Sequence, residues 1–576
     1  MGTISDKLMR IINTKEDIRK ALISKGYDVP TSIPFKEYAK MILDLPCKAD
    51  SFPDIEGIVA RYSASGITNE QMAANPVWVD KTGNGHDLQL KNFSWKGMSG
   101  IGGYVADIDE WGTNSTAAYF ERNSIKITAT FKENVSLGLL YHNIKLRQSC
   151  VLKVTGIPEG CDAFLDDRLG NRFYMSEDGV YEIIPSNFLA EALYLSIEKY
   201  PERWYGSKLT IEQLPLYPGA LVFDGVDDYG TCDNFPILTK EKGYTVVALR
   251  QWISMGEGIS GLVSNVKNWF NDGAFVLEYN SNNATNKFVN RPVSFGNVNI
   301  EMDLPNNFTY QTSKSYKGVP ITTGSFKGTN SLFVGKLNNI VGNCSNVAIW
   351  ELVFLDHDAT EEELTKIKDY FVKTYPWLFP DQAWTVVGKT NEDEDRATIA
   401  NITGNGNDLI LSNFGFIEGS GYNEEGEYAG YLVTDGVDDK AVSKQFKFGE
   451  NFTVILDFKF PVKKISYCGF DLSSKVRIQN LQGSGVYVVL KGNRTLIPSN
   501  VVRAVTSEGK VYDENWNEYN IVPGNISSNY TMVNLGFDGS NQFAESATKL
   551  AGIYSSILSK DECIKAYNYL QTLKSK

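Results

Sequence analysis

Leu221-Val222-Phe223-Asp224-Gly225-Val226-Asp227-Asp228 returns 211 residues later as Leu432-Val433-Thr434-Asp435-Gly436-Val437-Asp438-Asp439. Each copy reads as an apolar strand entering a tight turn, because Asp-Gly tolerates the positive φ that such a turn needs. A second phrase, Thr82-Gly83-Asn84-Gly85-His86-Asp87-Leu88, with Asn92-Phe93 after it, returns as Thr403-Gly404-Asn405-Gly406-Asn407-Asp408-Leu409, with Asn413-Phe414 after it, an offset of 321. A looser third pair, Ala348-Ile349-Trp350 and Gly552-Ile553-Tyr554, is offset by 204, and a helical pattern follows each member. Three matches in one order mean two copies of one domain.

The offsets locate an insertion. The offsets of 211 and 204 agree closely, and that of 321 exceeds them by about 110 residues, too many for a loop and enough for a small domain. The expected organisation is therefore an N-terminal helical segment at 1–50, a first domain split into 54–116 and 219–376, an insert at 117–218, and a second copy at 381–576.

Both copies read as all-β. Strand patterns cover Tyr244 to Leu249, Ser331 to Gly335 and Asn346 to Phe354 in the first, and Phe452 to Phe458 and Tyr487 to Leu490 in the second. Each copy ends in one helix, opened by Thr360 with Glu363, or by Ser559 with Glu562, at capping-box spacing. Trp377 to Asp381 is expected to be a linker. The insert carries further strand-like runs. In one of them Leu193, Leu195 and Ile197 share a face at period two, so a small β-sandwich is expected there, serving as a spacer or as a carbohydrate module.

The 576 residues include 30 Tyr, 30 Phe and 50 Gly but only 19 Pro, a balance that suits strands and turns. The net charge of −13 argues against a nucleic-acid surface. No apolar run is long enough to cross a membrane as a helix, and Met1 to Lys7 has no apolar signal region. Seven scattered cysteines without a CxxC suggest free thiols and folding in a reducing cytoplasm.

Near the N-terminus, Ile4, Leu8, Ile11, Ile18 and Leu22 follow heptad spacing, with Lys15 in the one missing position. The segment reads as a helix hairpin packed on itself or as an oligomerisation or docking device. So short a hairpin buries too little apolar surface alone, which favours a partner.

Few residues point to chemistry. Asp224, Asp227 and Asp228, like Asp435, Asp438 and Asp439, are candidate calcium ligands; the alternative is turn chemistry. Asp107-Ile108-Asp109 has the acid-apolar-acid spacing of a glycosidase strand, but it is not repeated and reads as a loop edge. Glu392 to Asp395 reads as a solvated loop. His86, His142 and His357 are far apart, and Asn407 replaces His86 in the second copy. No nucleophile-elbow, zinc-protease or phosphate-loop motif occurs, so no catalytic residue is assigned. Trp95, Trp111, Trp204, Tyr205, Trp252 and Trp269 are core residues or sugar platforms, and the sequence selects none of them.

The apolar strand ending Phe223-Asp224-Gly225-Val226-Asp227-Asp228-Tyr229, with the Ala348-Ile349-Trp350 strand and the Glu362-Glu363-Leu364 helix behind it, resembles the concanavalin A-like (laminin-G, pentraxin-type) jelly-roll superfamily. The likeness covers 54–112 with 219–375, and again 381–576. The second copy departs from it at Thr434 and Lys440. The N-terminal stretch from Ile4 is similar to that of virion proteins of tailed phages. Asn75 to Tyr104 resembles fibre-like proteins of phages infecting gut Bacteroidota, crAss-like phages among them. These resemblances imply tandem jelly rolls in a non-enzymatic structural protein of a phage virion, a head or tail fibre exposed on the particle surface. They also imply a homotrimer held by its N-terminal helices and contacts with capsid or tail proteins; host-surface polysaccharide is an expected binding partner, and no cofactor is expected, calcium at the Asp clusters being the one candidate. The alternative is a bacterial or prophage-encoded cell-surface carbohydrate-binding protein. A polysaccharide hydrolase stands third.

Overall fold

The computed structural model describes residues 52–113, 118–132, 138–145, 150–183, 192–254, 259–267, 275–281, 289–290, 300–301, 307–320, 328–338, 343–460, 466–473, 475–480, 486–526, 530–537 and 542–575, together with Lys15 and Arg19. Lys15 and Arg19 are helical. The other positions of the heptad seam, Ile4, Leu8, Ile11, Ile18 and Leu22, lie outside the described residues, as do Cys47 and Trp269.

The protein is mainly β, and its sheets repeat as the sequence does. In the first copy, one antiparallel sheet runs in the order Gly100–Ile101, Leu221–Asp224, Asn346–Leu355, Thr245–Ser254, Phe308–Thr312, Ser315–Tyr316, Val319–Pro320. In the second copy the corresponding path is Gly421–Tyr422, Leu432–Asp435, Glu545–Tyr554, Thr453–Lys459, Val501–Thr506, Lys510–Tyr512, Glu518–Asn520. The facing sheets also run in the same order, and that of the second copy adds two strands, Val486–Leu490 and Asn493–Ile497, at one edge. Two sheets of one topology enclosing one core each are the tandem jelly-roll sandwiches expected. Phe223, Val246 and Ile349 from one sheet meet Leu90, Leu262 and Val334 from the other in the first core. Leu432, Val454 and Ile553 meet Leu411, Phe470 and Val488 in the second.

The insert is a third sandwich, of two five-stranded sheets. Its core includes Leu193, Leu195 and Ile197, each no more than 2% exposed, so the period-two face read from sequence is the buried one. The insert leaves from Gly100–Ile101 and returns to Leu221–Asp224, which pair with each other through Leu221↔Ile101 and Val222↔Gly100. In the second copy the equivalent strands, Gly421–Tyr422 and Leu432–Asp435, are also paired, and the chain bridges them in nine residues, 423–431. The insertion therefore enters at a hairpin whose ends are already adjacent, where added chain costs little. Its boundary lies upstream of the expected 117: Ile108 and Trp111 belong to the insert's core, and Gly112–Thr113 pairs in its sheet. Composition does not change across 106–117, so the sequence carries no mark of this junction.

The second closing helix is Lys560–Gln571, with the expected reciprocal capping box between Ser559 and Glu562. The segment read as a linker is structured: Pro376–Leu378 is a 3-10 turn with Trp377 and Leu378 buried, and the Trp377 carbonyl accepts from the Tyr554 hydroxyl at 3.1 Å. Tyr375 to Trp377 is aromatic-rich because it packs, not because it spans. The chain divides into two units. One holds residues 56–361 and 375–576, and hence all three sandwiches; the other holds residues 362–374 with the chain up to Ile55. Within the latter, the rings of Phe52 and Tyr370 meet edge to face at 4.9 Å.

Candidate functional site

The repeated acidic turns are built alike. Asp228 accepts from the Asp224 backbone N–H at 3.1 Å and from the Ser99 hydroxyl at 3.0 Å. Asp224 accepts from the Val226 N–H at 2.8 Å, and Asn92 donates to the Asp227 carbonyl at 3.0 Å. In the second copy Asp439 accepts from the Asp435 N–H at 3.0 Å, Asp435 from the Val437 N–H at 2.8 Å, and Asn413 donates to the Asp438 carbonyl at 3.0 Å. The two repeated phrases thus bind each other, which explains why they recur together. Carboxylate oxygens of each Asp trio lie within 4.8 Å of one another, close enough for one cation. Two of the three carboxylates in each trio already accept backbone or hydroxyl protons, so the residues fit turn locks better than a calcium shell of six to eight oxygens, although one Asp439 oxygen is buried without a partner. Burial pushes Asp228 up to about 7, and the nearby Asp224 charge adds to the rise. Burial likewise lifts Asp439 to about 6.

The other residues singled out in the sequence are not brought together. Trp111, Trp204 and Trp252 are buried in cores, and Trp95 stacks on Phe93 at 4.8 Å. Tyr205 is exposed. The Asp107 carboxylate meets Lys96 at 2.9 Å beside the 3-10 turn Ile108–Glu110, so the acid-apolar-acid motif is not on a strand. His86 packs against Phe235, and His357 lies 3.3 Å from Asp356. Asp393 caps its own loop through Thr390 at 2.9 Å, and Asp395 pairs with Lys389 at 2.6 Å.

The densest chemistry lies where the insert meets the second jelly roll. Glu182, on the insert strand Gly179–Ile183, accepts from the Tyr567 hydroxyl at 2.8 Å and lies 3.7 Å from Arg503 and 3.9 Å from Lys549. Behind it, Asp457 pairs with Arg503 and accepts from Tyr431 at 2.9 Å and Gln571 at 3.0 Å, and the Tyr567 hydroxyl, whose one proton it shares with Glu182, lies 3.2 Å away. Two carboxylates face two cations, and both aspartate oxygens are satisfied. Burial opposes ionisation of Asp457, but Arg503 and Lys549 hold it well below the usual carboxylate range. A β-bulge between Asp457 and Phe458 sets this position on its strand, a frequent use of bulges. The sequence signal was present, though unused: Asp457, Arg503 and Glu182 each interrupt an apolar strand, where charges are rare unless paired.

Beside this latch a cleft of about 420 Å³ opens between the two modules. One wall is Lys153 to Thr155 with Asp178 to Val180 of the insert; the other is the second copy's closing helix at Lys560, Asp561, Ile564 and Asn568, with the loop at Asn515 and Asn517. Two bonds hold the walls together at the rim: the Val180 N–H donates to the Asn515 carbonyl at 3.3 Å, and Asn517 donates to Glu177 at 2.8 Å. Asn568 is 3% exposed, and its side-chain oxygen is buried without a hydrogen-bond partner.

No family model matches this chain, and no curated protein is similar to it. Among solved structures, it is similar to a mutant of Trypanosoma rangeli sialidase displaying trans-sialidase activity, at 9% identity and a TM-score of 0.26, over 48% of this chain and 50% of that one. The chain therefore spans about half the length of that structure. It is also similar to Trypanosoma rangeli sialidase in complex with sialic acid (8% identity, TM-score 0.22, 79% and 83% covered). A third is the Botulinum neurotoxin serotype D binding domain (10%, 0.22, 60% and 89%). Likenesses this weak carry no argument about activity.

Proposed function

We propose that this protein is a non-enzymatic structural component of a phage virion, a head or tail fibre that contacts host-surface polysaccharide. The carrying observation is the latch at Glu182. It fixes the insert to the second jelly roll through buried charge rather than through a flexible joint, as a surface appendage under mechanical stress requires. Two further features support the reading. The acids of the two acid-rich motifs are engaged locally, Asp107 with Lys96, Asp393 with Thr390 and Asp395 with Lys389. The N-terminal likeness to virion proteins supplies an attachment point. In this reading the chain assembles as a trimer through Ile4, Leu8, Ile11, Lys15, Ile18 and Leu22.

The test is antibody labelling of phage particles purified from the culture whose DNA encodes the chain. Gold particles at a fixed position on head or tail are expected; label confined to the bacterial surface would replace this reading with the cell-surface lectin. Light scattering of the full chain is expected to give three times 64.2 kDa. Ile11→Asp with Ile18→Asp is expected to return the monomer mass, since charges on a heptad seam oppose association.

A further inference from the structure

We propose that the cleft between the insert and the second jelly roll is a binding site for a carboxylated pyranose, the acidic sugar unit of a polysaccharide. This rests on the glycan-contacting reading above and assigns it a place. The cleft's volume of about 420 Å³ is that of a small-ligand pocket, and it lies at a junction between modules, where such pockets concentrate.

The lining selects the chemistry. It contains no aromatic ring and no arginine, so it offers neither a stacking face for a base nor the bidentate fork that favours phosphate. It does offer alternating donors and acceptors: the Thr155 hydroxyl, the Asp561 carboxylate and the amides of Asn515, Asn517 and Asn568. A sugar's hydroxyls, each both donor and acceptor, match such a set. Val180 and Ile564 supply the apolar patches that the C–H faces of a pyranose need.

The charge balance selects an acidic sugar. Lys153 and Lys560 enter from opposite walls, and neither makes an ion pair among the described residues. Lys565 sits over the Trp377 ring at 4.4 Å. Of the two acids, Asp178 is already engaged by the N–H groups of Gly156 and Ile157 at 2.6 and 2.9 Å. Those bonds leave its charge in place, so the lining carries three ammonium groups, Lys153, Lys560 and Lys565, against the two carboxylates of Asp178 and Asp561, a net charge of +1.

Asn568 is the second, independent observation. A buried amide oxygen without a partner is costly to leave unmade, and this one belongs to a residue lining the cleft. A ligand or water donating to it would remove that cost. The rim bonds and the Glu182 latch already hold the walls in place, so that only the Asn568 amide must turn for its closed oxygen to meet a ligand.

The experiment is saturation-transfer NMR and titration of the full-length protein with glucuronate, galacturonate and glucose. Both uronates are expected to bind and glucose to bind at least about tenfold more weakly. Lys153→Gln and Lys560→Gln are expected to weaken uronate binding about tenfold each, by removing one charge-assisted contact. Asn568→Leu is expected to abolish it, and unchanged melting temperatures of the two lysine variants will show that the fold is intact. If uronates bind the wild type and all three variants equally, the site lies elsewhere; the cleft assignment is overturned while glycan contact stands. If neither uronate binds, or glucose binds as well as they do, the assignment is overturned outright. The particle-labelling result is independent of both outcomes.

Discussion

At the residue scale, the repeated phrases show what a recurring motif can mean without chemistry. Asn69 brackets Ile101, its oxygen accepting from the N–H at 2.7 Å and its amide donating to the carbonyl at 3.3 Å; Asn391 does the same to Tyr422, at 2.8 Å in each case. Beside each lies a glycine at positive φ, Gly100 and Gly421, where an added Cβ would sit 2.5 Å from the asparagine oxygen. Asp228 is a component of this frame, and its ionisation works against folding. Its folded pKa, raised to about 7, exceeds the unfolded value near ~3.9. The folded state therefore binds more protons between those limits. The stability this adds is full below about pH 4 and is lost as pH rises through 7. Asp228→Asn removes the charge and keeps an acceptor. It is expected to match wild type at pH 4 and to be more stable at pH 8, by an amount on the order of a few kcal/mol. Chemical denaturation at the two pH values checks this; a variant less stable at pH 8 refutes it. Adding calcium at pH 8 decides the metal question in the same samples. Turn locks predict no change in melting temperature, whereas a rise in wild type that Asp228→Asn abolishes would establish an ion.

At the element scale, most strands were legible because their side chains alternate. Asn346–Leu355 and Thr453–Lys459 fall close to their expected spans, and the Ser559 cap fixed the start of its helix within a residue. The sequence does not show the bulges. Register shifts fall between Leu249 and Arg250 in one copy and between Asp457 and Phe458 in the other, equivalent places given the 208-residue offset of the two strands. Each lies beside a buried charge, and a period-two pattern cannot foresee a break in its own phase. Nor could it separate core tryptophans from sugar platforms, because Trp252 is buried by Glu278, a partner 26 residues away that accepts from its ring N–H at 2.9 Å. That glutamate also receives Arg250 at 2.5 and 2.7 Å and Tyr316 at 2.7 Å, inside the first sandwich, with its backbone at φ 55°. The pair bridges the two sheets. Glu278→Gln leaves a guanidinium buried without its counter-charge and is expected to cost ~3–5 kcal/mol. Arg250→Met combined with Glu278→Gln removes both charges and is expected to recover part of that loss. Urea midpoints of the three variants check it, and a double variant as unstable as the sum of the singles would show that the two residues act separately.

At the scale of the whole molecule, the question is whether three sandwiches behave as three bodies or as one. Length and repeat arithmetic deliver the modules but say nothing of their coupling, since the residues that couple them are distant in sequence: Glu182 meets Tyr567 across 385 positions. Independent domains in one chain normally share polar, modest interfaces and move relative to one another. Here the insert contributes a carboxylate to a buried network whose other members, Asp457, Arg503, Lys549 and Tyr567, all belong to the second copy. The first copy reaches the second as well: Asn307 donates to the Tyr569 hydroxyl at 2.6 Å, and Gln251 donates to Thr572 at 2.9 Å. Removing Glu182 leaves Arg503 and Lys549 facing one carboxylate instead of two, a net buried charge where the network had none. Glu182→Ala is therefore expected to cost ~3–5 kcal/mol of coupling between insert and second jelly roll, the range for breaking a buried pair. The insert's own core, which contains none of these groups, is expected to stay folded. Calorimetry should show the consequence directly: one unfolding transition for wild type becoming two in the variant, with protease cutting first at the chain segments on either side of the insert, near Gly103 and Tyr217. A single transition in Glu182→Ala at the wild-type temperature would mean that the latch does not couple the modules, and would remove the observation on which the appendage reading rests.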